Sequence, residues 1–221
     1  REMRQMEAAW YDGEKINKSR TRVDRLGYFD EVTIETPAVP GTTDQVDLNV
    51  NVKEKPTGNL MVGAGLSSSE GLVFSGSINQ QNLFGSGKHV GVGFNTSKIN
   101  KLYSFSYTDP FYTVDGVSRG FDLYMRDTDT TKLTTVATYA TKSLGGGVRY
   151  GVPIGEDDTV NFGLAYDSTQ VKITTYTPQR FQDFLTQYGD KFSGLIGTVG
   201  WAKDTLDSRI YPMKGYVTRI S

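Results

Sequence analysis

Catalysis needs nucleophiles, bases or metal ligands that converge, and this chain holds few of them. His89 is its single histidine and it has no cysteine, so neither a metal cluster nor a Ser-His-Asp arrangement has its parts. Glu156-Asp157-Asp158 has two readings, a cation site or a tight acidic turn that needs only water. Asp127 and Asp129 are expected in an outer loop, where solvation accounts for them. A formal net charge of −1 carries no nucleic-acid footprint. The chain is therefore expected to be no enzyme, with no catalytic residues, no cofactor and no metal. What remains is the chemistry of the backbone, because a strand with open N–H and C=O groups is a template for pairing. Gly58, Gly63, Ala64 and Gly65 gather in one stretch, 58–66, a composition that weakens pairing and packing compared with a β-branched strand. The other reading of these glycines is close packing in a curved sheet. Gly145-Gly146-Gly147 carries the same ambiguity, with curvature the expected answer there.

Two regions must position that stretch. From residue 1 to 56 charges are dense and apolar spacing is mixed. No signal peptide opens the chain. Met3, Met6 and Trp10 fall at helical spacing, as do Ile16, Val23 and Leu26, with Gly27 as a helix stop. Two short helices are expected, then strands over 29–36 and 46–53 joined by a turn-rich 37–44. An α-α-β-β order makes a two-layer domain without its first strand, so the chain is expected to begin inside a domain.

From residue 57 to 221 the pattern changes to period two. Leu60, Val62, Ala64 and Leu66 share a face, then Val90, Val92 and Phe94, then Tyr103, Phe105 and Tyr107. The rule persists to Leu195, Val199 and Trp201, with Gly, Ser, Asn, Asp and Arg between. Eight strands are visible and a ninth begins near Tyr216. A mean hydropathy of −0.42 and the lack of a long apolar run exclude a transmembrane helix. A transmembrane barrel stays compatible, since every second residue of its wall can be polar.

A soluble sandwich alternates too. Three features favour the membrane. The stretches run roughly 9 to 13 residues, enough to cross hydrocarbon, whereas soluble strands average about 5 to 6. Connections are expected to alternate, tight at Gly85-Ser86-Gly87, Val114-Asp115-Gly116, 155–158 and 212–215, and growing on the other side through 67–69, 97–101 and 127–141 to 169–192. In the last of these, Phe181, Phe184, Leu185 and Tyr188 fit a short amphipathic helix. Finally, Phe84, Phe111, Tyr112 and Tyr211 stand just before tight turns, where a periplasmic aromatic girdle would lie. The N-terminal region leads straight into the first strand, so it shares the periplasmic side with the tight turns.

The residues resemble the BamA family of outer-membrane assembly factors over nearly the whole chain. The likeness rests on Arg1-Glu2-Met3-Arg4-Gln5-Met6-Glu7 with Trp10, on Arg25-Leu26-Gly27-Tyr28-Phe29, on Asp44-Gln45-Val46-Asp47 with Val52-Lys53-Glu54, and on Asn82-Leu83-Phe84-Gly85-Ser86-Gly87. Its most specific segment runs from Thr108-Asp109-Pro110-Phe111-Tyr112 through Thr113-Val114-Asp115-Gly116 to Val117-Ser118. The resemblance implies that residues 1–56 are the last periplasmic POTRA domain, lacking its first strand. It implies that 57–221 open a 16-stranded antiparallel transmembrane β-barrel, the N-terminal half of a membrane-β fold with about eight or nine strands here. The implied place is the outer membrane of a Gram-negative bacterium.

The implied work is insertion of barrel proteins into that membrane, with outer-membrane lipid and unfolded β-barrel clients as partners. The client-pairing strand would be Leu60, Met61, Val62, Gly63, Ala64, Gly65 and Leu66, acting as a lateral gate by β-augmentation. Glu7 and Arg4, on an exposed helix face, are the candidates for docking a BamD-like periplasmic lipoprotein, the bland reading being a solvated charged face. The strand 46–53 offers a second backbone edge to clients. The alternative is a POTRA-barrel translocator that secretes a client through its pore. A passive porin would not need residues 1–56, and an outer-membrane enzyme would need converging acids and histidines. An open sheet, its first strand unpaired with the eighth or ninth, is expected of the chain alone.

Overall fold

The computed structural model describes residues 2–132, 139–173, 177–206 and 213–221. Two compact units divide it, Arg1–Thr57 with Lys203–Thr218 and Gly58–Ala202 with Arg219–Ser221.

The first unit has one α-helix, α1 (Gly13–Arg25), and an antiparallel pair, β1 (Phe29–Glu35) and β2 (Asn49–Glu54). The sequence supplies both ends of α1. Asp12 caps its start, the carboxylate accepting the N–H of Glu14 at 3.0 Å and of Lys15 at 3.2 Å, which satisfies donors that have no partner inside the helix. Those bonds, that from Lys15 foremost, together with the Lys15 ammonium hold the Asp12 carboxyl below its ordinary pKa against an opposing desolvation. Gly27, just past the end, takes φ +73°, a conformation that glycine adopts freely. The inner face buries Ile16 with Tyr28 and Val32. Ser19 is wholly buried, and its hydroxyl donates to the Lys15 carbonyl at 2.7 Å and accepts the Arg4 N–H at 2.8 Å.

The helix expected from Met3, Met6 and Trp10 does not form. Met6 and Trp10 are 71% and 96% exposed, so the pattern has no surface to pack on, and a short helix has little stability of its own. Ala8 takes φ +55°, outside the right-handed helical region. The Arg4 bond to Ser19 and an ion pair between Glu2 and Arg22 at 2.9 Å tie the segment to α1 instead. Among the described residues the order is thus α-β-β. β2 also starts at Asn49 rather than Val46, which makes only an isolated bridge with Ala38.

The rest of the chain forms β3 (Gly58–Ser67), β4 (Gly71–Gln80), β5 (His89–Thr96), β6 (Asn100–Asp109), β7 (Ser118–Asp129), β8 (Tyr139–Pro153), β9 (Asp158–Ile173), β10 (Lys191–Asp204) and β11 (Val217–Ile220). They make one nine-stranded sheet in sequence order, with β3 and β11 as its two edges. The expected open arrangement is what forms. Residues directly opposed in an antiparallel ladder share a face, so the register reads as rows. One row runs Leu60, Ile78, Val92, Phe105, Leu123, Gly146 and Tyr166, and the next Val62, Gly76, Phe94, Tyr103, Met125 and Leu144. The opposite face carries Met61, Ser77, Gly93, Ser104, Tyr124, Gly145 and Asp167. Strands β3 to β10 run from 8 to 16 residues, longer at the upper end than alternation alone indicates.

The expected sorting of connections holds only in part. On the side of Gly58 the links are 81–88, 110–117, 154–157 and 205–216, while on the other side they are 68–70, 97–99, 130–138 and 174–190, and the tight turn expected at 212–215 lies partly outside the described residues. The first two links on the Gly58 side are therefore wider than the first two opposite. Their residues fold into compact turns outside the ladder, with a 3-10 turn at Leu83–Gly85 and the Gly87 N–H bonded to the Asn82 side chain at 2.7 Å. The opposite pair is drawn tight by Glu70, whose carboxylate accepts Ser97 Oγ at 2.6 Å and Asn100 Nδ2 at 3.3 Å. The expected loop helix is α2 (Gln179–Tyr188), where Phe184 meets Tyr188 and Phe192 at ring separations of 4.9 and 6.0 Å.

Gly145, Gly146 and Gly147 are closely packed. They sit in unbroken register against both neighbouring strands. A Cβ on Gly145 would lie 2.5 Å from the Tyr124 ring, one on Gly146 2.6 Å from Leu123 and one on Gly147 3.0 Å from Ala165. Tyr124 donates its hydroxyl to Asp167, which fixes the ring over this floor. Gly65 differs, since a Cβ there meets nothing within 4 Å.

Two expected outcomes follow. Gly145→Ala should lower the unfolding free energy by about 1 to 3 kcal/mol and Gly65→Ala by less than about 0.5 kcal/mol, read from urea unfolding of the protein in lipid; equal costs would contradict the packing assignment. Asp12→Ala should fray the first turn of α1, seen in the backbone chemical shifts of Glu14 and Lys15. Because the folded-state pKa of Asp12 is depressed, the capping contribution is present above the unfolded carboxylate pKa and lost as pH falls through the folded value. An acid titration of those shifts should show it in the parent and not in Asp12→Asn.

Candidate strand-pairing edge and membrane faces

β3 is bonded along one side only. Its ten positions pair with β4 from Gly58 opposite Gln80 to Ser67 opposite Gly71, and its other side is a sheet edge. Leu60, Val62 and Leu66 project on the apolar face at 69%, 79% and 85% exposure. Ala64, opposite Phe74, stands with them. Met61, Gly63 and Gly65 fall on the other face, opposite Ser77, Ser75 and Val73. Gly63 would bring a Cβ only to the movable Ser75 hydroxyl, at 2.9 Å, so packing against β4 does not account for either glycine. The strand is held by its backbone ladder with little side-chain cover.

The two faces have opposite chemistry. The sheet unit has almost no apolar core: among its described residues Ile99 is the buried large apolar side chain, while Leu60, Ile78, Phe105, Leu123, Leu164 and others of the same face stand exposed. A soluble sandwich would cover such a face with a second sheet. A surface of this kind is stable against hydrocarbon. On the other face Arg149 grips Asp122 with two nitrogens, at 2.8 and 3.0 Å, and Ser143 bonds Thr169 at 2.8 Å. Such groups need water or each other.

Charge marks the limits of the apolar face. On the column of β7 that carries Phe121, Leu123 and Met125, the bounding residues are Arg119 and Asp127. The strand between them rises roughly 27 Å, which at a tilt of about 40° spans roughly 20 Å of membrane, close to the apolar band of about 25 Å in such barrels. Asp127 is opposed by Lys101 and Lys142, a row of alternating charge beyond the hydrocarbon.

The girdle residues are placed unequally. Tyr112 is half exposed and lies against Tyr150 with ring centroids 6.4 Å apart. Phe111 is partly buried, its N–H bonded to the Asp109 carboxylate at 3.1 Å. Phe84 is 98% exposed and takes φ +50°, a backbone setting that strains a bulky residue. Tyr211 lies outside the described residues. Sequence reading missed Arg119, whose guanidinium sits 3.8 Å from the Tyr112 ring centre and 5.1 Å from that of Phe121; its place on an otherwise apolar column was the available signal.

Glu7 is exposed and Arg4 partly buried, but neither lies on a helix, because the segment before Gly13 is not helical. Among the described residues β2 pairs with β1 along one side only, which leaves a backbone edge there. His89 opposes Thr108 in the ladder, and no cluster of potential metal ligands is found among the described residues.

The profile of the Omp85 superfamily domain matches residues 82–221, and that of POTRA, the surface antigen variable number repeat, matches 1–55. Over its full length the chain is 41% identical to the outer membrane protein assembly factor BamA of Neisseria meningitidis serogroup B, and over 98% of its length 30% identical to that of Nitratidesulfovibrio vulgaris. It spans 29% and 26% of those relatives. The crystal structure of BamA from Haemophilus ducreyi lacking POTRA domains 1-3 aligns with 99% of the chain and 43% of its own, at 28% identity and a TM-score of 0.66. The strands accordingly belong to an outer-membrane barrel wall of a Gram-negative bacterium, with the POTRA segment in the periplasm. By the profile that covers most of its length and by its nine-stranded sheet in sequence order, the chain belongs to the Omp85 superfamily.

Proposed function

We propose that this chain is the part of an outer-membrane assembly factor that offers β3 as the template on which client barrels begin to pair. The observation that carries the reading is the make-up of β3, whose Gly63 and Gly65 meet almost no side-chain packing from β4 in a sheet with one apolar face. An edge N–H or C=O facing hydrocarbon costs several kcal/mol when unpaired, so a client strand that adds there gains what the bare edge lacks. The folding of the client supplies the free energy. On this reading no covalent step, cofactor or metal is needed, and the protein works without being an enzyme.

The periplasmic segment would then hold partners of the assembly. Exposed Glu7 and the neighbouring Arg4 are the proposed contacts of a BamD-like lipoprotein, and the open side of β2 a second place where an unfolded client could pair through its backbone. The name and high identity of the Neisseria relative support assembly over secretion.

The test is a cysteine at Met61 in the intact, otherwise cysteine-free region, challenged with single cysteines along the C-terminal strand of a client during assembly. A disulfide confined to one register is expected. Crosslinks that instead reach only Ser104, Tyr124 or Asp167 on the polar face, replaced in turn by cysteine, would show a client passing through the pore and would give the function to a translocator.

A further inference from the structure

Arg119 sits where a cation is least expected. It shares the apolar column of β7 with Phe121 and Leu123 and enters the strand from the 110–117 turn, on the periplasmic side. Its guanidinium stacks over the Tyr112 ring at 3.8 Å and lies 5.1 Å from Phe121, while across the ladder its neighbours are Asp109 and Tyr150. Asp109 does not neutralise it. That carboxylate is engaged by Lys88 Nζ at 3.7 Å and by the Phe111 N–H. Nε of Arg119 is buried and without a hydrogen-bond partner, and no hydrogen bond or ion pair of the guanidinium occurs among the described residues.

A stacked guanidinium whose terminal nitrogens have no hydrogen-bond partner is prepared for a bidentate anionic acceptor, and phosphate is the strongest such acceptor at a membrane surface. Its height is that of the headgroups: one side of it is the aromatic belt, the other the start of the apolar band. Lys88 adds a second positive charge at the same border, 41% exposed. The surplus over Asp109 is one cation. We infer that Arg119, held by Tyr112 and flanked by Lys88, binds the phosphate of a phospholipid in the periplasmic leaflet. Its acyl chains would lie along Phe121 and Leu123. The inference needs the membrane placement and not the pairing role of β3.

The test is native mass spectrometry of the full-length protein extracted from vesicles of phosphatidylethanolamine and phosphatidylglycerol. Delipidated protein is then titrated with phosphatidylglycerol, with diacylglycerol, which lacks the phosphate, and with inorganic phosphate as competitor. Arg119→Ala should weaken phosphatidylglycerol retention about tenfold, the loss of one charge-assisted hydrogen bond, and leave diacylglycerol retention unchanged. Tyr112→Leu, which keeps the charge, should weaken it to a smaller extent and covers the case in which Arg119→Ala does not fold. Equal phosphatidylglycerol retention in the parent and the folded variants overturns the inference. So does displacement of the lipid by millimolar inorganic phosphate, which would mark a site for a free anion.

Discussion

A strand inside hydrocarbon has no water to bond, so every N–H and C=O along it must find a partner in another strand. That constraint organises this chain from Gly58 onward. It requires long ladders in sequence order, which β3 to β11 supply, and it assigns each side chain to one of two environments by parity alone. Seven strands contribute to a single row from Leu60 to Tyr166, and a one-residue slip of any of them would place its polar partners in lipid. Register here is fixed by the cost of error.

The same constraint makes a sheet edge costly, which is why the make-up of β3 matters. Glycine occurs in two ways in this sheet. In β8 it is a floor beneath Tyr124 and Leu123, and side chains are excluded by contact. In β3, Gly65 has open space above it, so no side chain of the strands described here asks for its small size. An edge strand built of such residues is paired mainly by backbone, and backbone pairing is interchangeable among partners. Its weakness as a wall is what suits it to exchange.

Much of this was legible in the residues. The period of two gave the strands and the inward and outward faces, because burial in a barrel depends on parity and hardly on tertiary detail. Gly27 marked the end of α1 for a conformational reason that is local. The first helix failed because Met6 and Trp10 have the spacing but no surface to pack on, and spacing carries no information about the second half of a contact. Connection lengths misled because a turn such as 81–88 looks tight by its glycines yet folds several residues into a plug. The exposed faces of Glu7 and Arg4 could not be read either, since they depended on that missing helix. Arg119 was visible as a cation in an apolar column, but its stacking on Tyr112 comes from the way the 110–117 turn folds back.

The central claim is that parity alone divides the sheet between lipid and an aqueous interior, out to its β3 edge. Nitroxide labels placed one at a time at residues 103 to 107 of β6 and at 61 and 62 of β3, in the full-length protein in bilayers, report it through collision with oxygen and with a water-soluble nickel chelate. High oxygen access at 62, 103, 105 and 107, alternating with high nickel access at 61, 104 and 106, is the predicted result. Accessibility that does not alternate, or that alternates with the opposite phase, would contradict it.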